Sequence, residues 1–277
     1  MPSTKRVQSE GALAGQTFLV TRPVGQADAL SRRLERLGAR VREIPTIRIS
    51  DPPDPTPLRR AARRIQEYEW VVFTSVNGVE KLRQAMAEVA VPFRRLREVR
   101  VAAIGPATAR ALAAAGVEAD VVPPSYRAEA LVRAIRAEAA RHPDGPEPLS
   151  GVRVLLPRAE EAREVLPDGL RALGGRVDVV PAYVTETNAD AEEELRAALE
   201  AGEVDWITFT SSSTVRAFVA LAGRQTGTAR VAVIGPITAR TARDLGIQVE
   251  VIAAEYTIPG LVRAIAAVVV GNAGGVQ

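Results

Sequence analysis

Two pairs of hydroxyl residues stand at positions where α/β proteins commonly hold anions. Ser75 and Ser211 close the runs Trp70-Val-Val-Phe-Thr-Ser75 and Trp206-Ile-Thr-Phe-Thr-Ser211, and a helical pattern follows each. Their hydroxyls, with the amides of the helix start, can hold carboxylates; serine at such a turn is equally a good N-cap. Thr108 and Thr238 fall in the first turn of helices opened by Gly105-Pro106 and Gly235-Pro236. Bare amides there attract anions and a threonine adds a hydrogen bond, although a local bond at the helix start uses the same group. Arg22 and Arg158 occupy equivalent loop positions, and with Arg163 they can pair with carboxylates. Surface arginine is nevertheless the default, since all but two of the 36 cations are Arg. Tyr183 follows Val179-Val180-Pro181 at a strand end. Its phenol can donate a proton or brace a buried linker, and residue chemistry alone favours the brace.

The rest of the composition narrows the chemistry. The 277 residues contain no Cys, a single His and only two Lys. Thiolate nucleophiles, disulfides and cysteine metal sites are excluded, and one histidine, His142, cannot build a His cage in one chain. Lys5 and Lys81 alone can form a Schiff base, and Lys5 lies in a polar start. No metal and no cofactor are expected. A net charge of +3 is too small to argue nucleic-acid binding. The start carries no apolar leader core, and the longest apolar run, 264–270, is too short to span a bilayer. A soluble cytoplasmic protein is expected, with no nucleic-acid or membrane partner.

The elements that must position these residues come in two copies. Leu13 to Arg22 recurs as Leu149 to Arg158, and the Trp70 and Trp206 blocks repeat at the same offset of 136. The blocks beginning at Val101 and Val231, which carry Thr108 and Thr238, repeat at 130, so the second copy is six residues shorter there. Strands are expected at 17–21, 40–44, 70–74, 100–104 and 118–122, and at 152–156, 176–180, 206–210, 230–234 and 248–252. Helices are expected at 25–37, 77–90, 106–115 and 127–140. Alternating β and α with mostly continuous apolar strands predicts parallel sheets covered on both faces, in two doubly wound domains. Trp70 and Trp206 read as core. Tyr126 and Tyr256, also equivalent, follow the last strands and either edge a cleft or merely pack. The chain can change domain near residue 148, or at two breaks, Pro45 to Pro57 and Thr185 to Asp190.

At these residues the sequence resembles the uroporphyrinogen-III synthases. The carriers are Val20-Thr-Arg-Pro23 with Gly25-Gln26, Phe73-Thr-Ser75, Ile104-Gly-Pro106 with Thr108, and Arg163-Glu164. Pro181-Ala-Tyr183, Phe209-Thr-Ser211 and Ile234-Gly-Pro-Ile-Thr-Ala-Arg240 complete them. No motif is specific singly; their order, spacing and duplication are. The family's second-copy first motif usually reads Arg-Gly, whereas Ala159 follows Arg158 here.

The resemblance implies two flavodoxin-like α/β domains that are interleaved and joined by a two-stranded linker. One would combine 1–46 with 184–277 and the other would span 47–183, with the ligand in the cleft between them. It implies cyclisation of the linear tetrapyrrole hydroxymethylbilane to uroporphyrinogen III with the last ring inverted. In that role Tyr183 becomes the proton donor, reversing the reading from residue chemistry alone. Arg22, Ser75, Thr108, Arg158, Arg163, Ser211, Ser212 and Thr238 become substrate contacts. A monomer is expected, with transient contact to hydroxymethylbilane synthase. Two other classes compete: a two-lobed small-anion binding or sensor protein without catalysis, and a nucleotide-using transferase. The second is weakened because no Gly-x-Gly-x-x-Gly follows a first strand.

Overall fold

The computed structural model describes residues 11–141 and 146–273. Lys5 and His142 lie outside them. The chain begins β1 (Thr17–Val20), α1 (Asp28–Glu35), β2 (Arg40–Glu43) and β3 (Ile47–Ser50). Next come α2 (Thr56–Arg63), β4 (Trp70–Phe73), α3 (Val76–Glu88), β5 (Arg100–Ala103), α4 (Pro106–Ala114) and α5 (Ala128–Ala139). Then follow β6 (Arg153–Ala159), α6 (Val165–Arg171), β7 (Arg176–Thr187), α7 (Glu192–Glu200) and β8 (Trp206–Phe209). The last elements are α8 (Ser212–Ala222), β9 (Arg230–Val233), α9 (Pro236–Asp244), β10 (Val251–Ile252) and α10 (Ile258–Ala273).

Two compact units result, Met1–Arg48 with Glu186–Gln277, and Ile49–Thr185. The first unit's sheet has the order β2-β1-β8-β9-β10, and all four of these pairings are parallel. This is the doubly wound order of flavodoxin-like sheets. Phe18 and Val20 of β1 pack into one core layer and Leu19 into the other, so the strand is buried on both faces. That double burial is why the strands read as continuous apolar runs rather than alternating ones.

In the second unit the order is β3-β7-β6-β4-β5. Val71 and Phe73 of β4 enter one layer, and Trp70 and Val72 the other. Each sheet therefore joins a strand pair from one copy to strands of the other. An acid sets each junction. The Asp205 carboxylate accepts the Thr17 amide at 2.7 Å, and at the equivalent position the Glu69 carboxylate accepts the Arg153 amide at 2.7 Å.

Several expected elements change. The stretch after Pro45 was expected to be a break, yet Ile47–Ser50 forms β3 beside β7. Ile47 is buried and Ile49 packs on the core, a two-residue alternation too short to stand out between prolines. Thr185–Thr187, expected as a polar break, continues β7. The span expected as a strand at 118–122 supplies a single bridge, Ala102 to Val121, and β10 has only two residues. Among the described residues no helix is long and apolar enough to cross a membrane.

At the N-terminal strand edge of the second unit, Tyr68 donates to Asp178 at 2.8 Å with the Arg153 guanidinium 4.9 Å from its ring centroid. Burial and then the Asp178 hydrogen bond push its phenol up to about 12. A raised phenol adds stability that is whole below about pH 10 and is lost as pH climbs towards the folded value. Thermal melts between pH 9 and 12 should therefore decline less steeply in Tyr68→Phe than in the parent chain. Parallel curves would show that this phenol contributes nothing to the decline.

Candidate functional site

Eight of the nine sequence-derived residues sit at or just beyond the C-terminal ends of strands, where doubly wound sheets bind ligands. Tyr183, expected at a strand end, instead lies inside β7, four residues before its end, because β7 runs on to Thr187. It pairs with Ala159 at the end of β6. Five of the nine belong to the second unit. Ser75 is the N-cap of α3 and accepts the Gly78 amide at 3.0 Å. Its hydroxyl also lies 2.9 Å from the Tyr183 phenol. Tyr183 is only 7% exposed and packs in the same core layer as Val180 and Ala182. Strand alternation would turn residues 182 and 183 to opposite faces. The pairing with β6 slips between Arg158 and Ala159, so that Arg158 faces Pro181 and Ala159 faces Tyr183. A bulge of this kind re-aims a side chain. Burial pushes the Tyr183 phenol up, and hydrogen bonds to Ser75 and Asn77 pull it partly back.

Arg158 is buried at the end of β6. One of its amino groups donates to the Arg163 carbonyl at 2.9 Å, and the other pairs with the Glu164 carboxylate. Its Nε is buried with no partner. Arg158 thus ties down the loop that presents Arg163, whose own side chain is exposed. Thr108, 4% exposed, occupies the third position of α4. Among the described residues its hydroxyl has no hydrogen-bond partner, and it is not sealed from solvent.

The first unit holds the other four. Ser211 caps α8 through the Thr214 amide at 3.2 Å and lies 2.9 Å from the Ser213 hydroxyl. Ser212 is 2.7 Å from Thr241 of α9. Thr238, 5% exposed, matches Thr108: third in its helix and without a hydroxyl partner among the described residues. Arg22 donates from Nε to the Gln26 carbonyl at 2.7 Å and from Nη1 to the Thr210 hydroxyl at 3.0 Å. Burial lowers its pKa, and no carboxylate among the described residues offsets it. Thr210 was missed by sequence reasoning; the sign was its place in the Phe209-Thr-Ser211 motif beside β1.

The same edges carry the apolar residues that the cores leave out. Val24, Val76, Val122, Val165, Ile237 and Ile252 are the exposed large hydrophobics of the described residues. Five of them follow or end a strand on the C-terminal side, and Val122 follows the bridge residue Val121. Ion pairs such as Arg230–Glu250 and Arg153–Glu67 gather at the opposite strand edge. Unpaired donors beside exposed apolar side chains suit a ligand with an apolar ring body and acidic substituents. Among the described residues no group of three or more His, Cys, Asp and Glu is placed to hold a metal ion.

Comparison with known proteins gives a family and a fold. A family model described as uroporphyrinogen-III synthase HemD matches residues 28–263. A uroporphyrinogen-III synthase of Synechococcus elongatus is 36% identical over 266 residues, covering 93% of this chain and 97% of its own. One from Chlorobaculum parvum is 26% identical over 260 residues, covering 91% and 98%. In fold, the chain resembles a mutant uroporphyrinogen III synthase of Thermus thermophilus, with a TM-score of 0.61 at 19% identity over 93% of this chain and 100% of that one. It also resembles the Helicobacter pylori uroporphyrinogen-III synthetase, with a TM-score of 0.57 at 15% identity over 91% and 99%.

Proposed function

Because the chain belongs to the uroporphyrinogen-III synthase family, we propose that its strand-end residues bind hydroxymethylbilane and direct its closure to uroporphyrinogen III. The family's enzymes are cyclising lyases of tetrapyrrole synthesis, and the substrate is a small molecule. The observation that carries the assignment of residues is the pairing of partnerless donors with exposed apolar side chains at the strand ends. In this reaction hydroxide leaves the hydroxymethyl carbon with electron donation from the adjacent pyrrole, giving an azafulvene. The far pyrrole attacks through its substituted carbon, and the resulting spiro intermediate fragments and recloses with that ring reversed. Unaided, the same substrate closes to the unreversed isomer. The protein's work is therefore to hold a flexible chain so that the disfavoured carbon attacks first.

Thr108 and Thr238, with the amides of α4 and α9, take substrate carboxylates, as does Arg22. Tyr183, protonated through the neutral range, hands a proton to the departing hydroxide while Ser75 holds its oxygen. Free hydroxymethylbilane closes on its own, so a monomer that captures it directly from hydroxymethylbilane synthase in the cytoplasm fits the chemistry.

Incubation with freshly made hydroxymethylbilane, followed by oxidation and separation of the isomers, tests this reading. Isomer III is expected; isomer I alone would support a binding protein without catalysis. Thr108→Val and Thr238→Val should each raise KM about tenfold, the cost of a lost hydrogen bond to a charged group. Melting temperatures should hold, because neither hydroxyl has a partner among the described residues. A lower melting temperature with normal KM would assign these threonines to helix starts only.

A further inference from the structure

We propose that Tyr126 and Tyr256 are positioning residues, each laying an aromatic face beside one anion-binding helix start so that each unit cradles a carboxylate-bearing pyrrole ring. This rests on the substrate class assigned above and adds two residues that the family motifs did not supply. The tyrosines are equivalent at the 130 offset and precede the identical core runs Leu131–Ile135 and Leu261–Ile265, although their adjacent residues differ: Ser125 and Arg127 in one copy, Glu255 and Thr257 in the other.

Both rings lie in the same place. A Cβ on Gly105 would come within 3.1 Å of the Tyr126 ring, and one on Gly235 within 2.9 Å of the Tyr256 ring. Gly105 and Gly235 immediately precede α4 and α9, the nine-residue helices whose third residues are Thr108 and Thr238. Each cradle thus unites helix-start amides that no side chain caps, a buried threonine hydroxyl without a partner among the described residues, and a half-buried aromatic ring. Exposed Val122 and Ile252 stand four residues before the two rings. Amides and hydroxyl suit a carboxylate; an aromatic face suits a flat electron-rich ring. Simple anions would need no such wall.

The glycines sharpen the test. Both have extended backbone, with φ of −172° at Gly105 and 176° at Gly235. Any residue adopts that conformation, so alanine there acts by shifting the ring. Steady-state kinetics with hydroxymethylbilane, isomer ratios and melting temperatures would be measured for Tyr126→Phe, Tyr126→Leu, Tyr256→Phe, Tyr256→Leu and Gly235→Ala. The phenylalanine variants should stay within about twofold of the parent KM. The leucine variants should raise KM roughly 3- to 10-fold and increase the fraction of isomer I, with melting temperature nearly unchanged. Gly235→Ala should raise KM as well, but add little in the Tyr256→Leu background, since both changes remove the same wall. Leucine variants with normal KM and normal isomer ratio would overturn the proposal while leaving the synthase reading intact. So would a fall in melting temperature alone, which would make the rings braces. A parent chain yielding only isomer I would overturn the synthase reading, and this proposal with it.

Discussion

Replacing Arg22 with methionine should raise KM for hydroxymethylbilane roughly 10- to 150-fold, with a melting temperature equal to or above that of the parent chain. Arg22 is a desolvated guanidinium whose protein partners are a carbonyl and a hydroxyl, both neutral. Holding a charge in that state costs stability, and an anionic ligand offsets the cost only when bound. Hydrogen bonds to charged groups are worth about 1.5–3 kcal/mol, which converts to the stated range in affinity. Methionine keeps the length and apolar stem while removing the charge. The opposite pattern, a lower melting temperature with unchanged KM, would mean that Arg22 serves only to tie Gln26 and Thr210 together. The matching change at Arg158 should behave differently, because Arg158 already holds a carboxylate partner in Glu164 and is buried. Its loss should destabilise the loop that presents Arg163, and melting temperature should register that.

Tyr183→Phe should lower kcat about 10- to 100-fold, at or below the lower end of the 10²- to 10⁴-fold range for one positioned acid. The pyrrole nitrogen drives hydroxide departure, water can substitute as donor, and burial holds the phenol above its ordinary pKa, which makes it a weak acid. Product should remain isomer III, since inversion depends on how the whole substrate is held. The variant also gives up the 2.9 Å bond to Ser75, so a stability loss of about 0.5–1.5 kcal/mol is expected alongside. Ser75 still caps α3 through Gly78, and the fold should survive. The phenol's contribution to stability is present below pH 10 and fades as pH rises towards the folded value. The variant's deficit should therefore shrink above about pH 10. Initial rates, isomer ratios and melts taken together separate the two roles. Normal turnover per folded molecule with only the stability loss would leave Tyr183 as the brace that its burial also suits.

Much of the site was legible because its signals are local. Ser75 and Ser211 were readable as caps since the amide each one accepts lies three residues on. Thr108 and Thr238 followed from Gly-Pro and the turn that it opens. Arg22 and Arg158 looked alike in sequence, but the folded loops separate them: one lacks a carboxylate, the other grips Glu164. That difference depends on which loop closes over which guanidinium. Ile47–Ser50 escaped notice because four residues between prolines carry too little periodicity to declare a strand.

By itself, the sequence determined the duplication, most of the alternation of strands and helices, the double burial of the sheets and the hydroxyls at their ends. Each is written in periods of a few residues or in repeated blocks. Only the tertiary structure decided which strand of one copy lies beside which of the other, where residue patterns alone left two places to cut the chain. It set Tyr183 against Ser75, 108 residues away, through a one-residue slip that periodicity does not display. It also laid Tyr126 and Tyr256 on the glycines before their helices. These contacts depend on how strands pack and register across the sheet, and pairing energy between residues so distant leaves no local pattern to read.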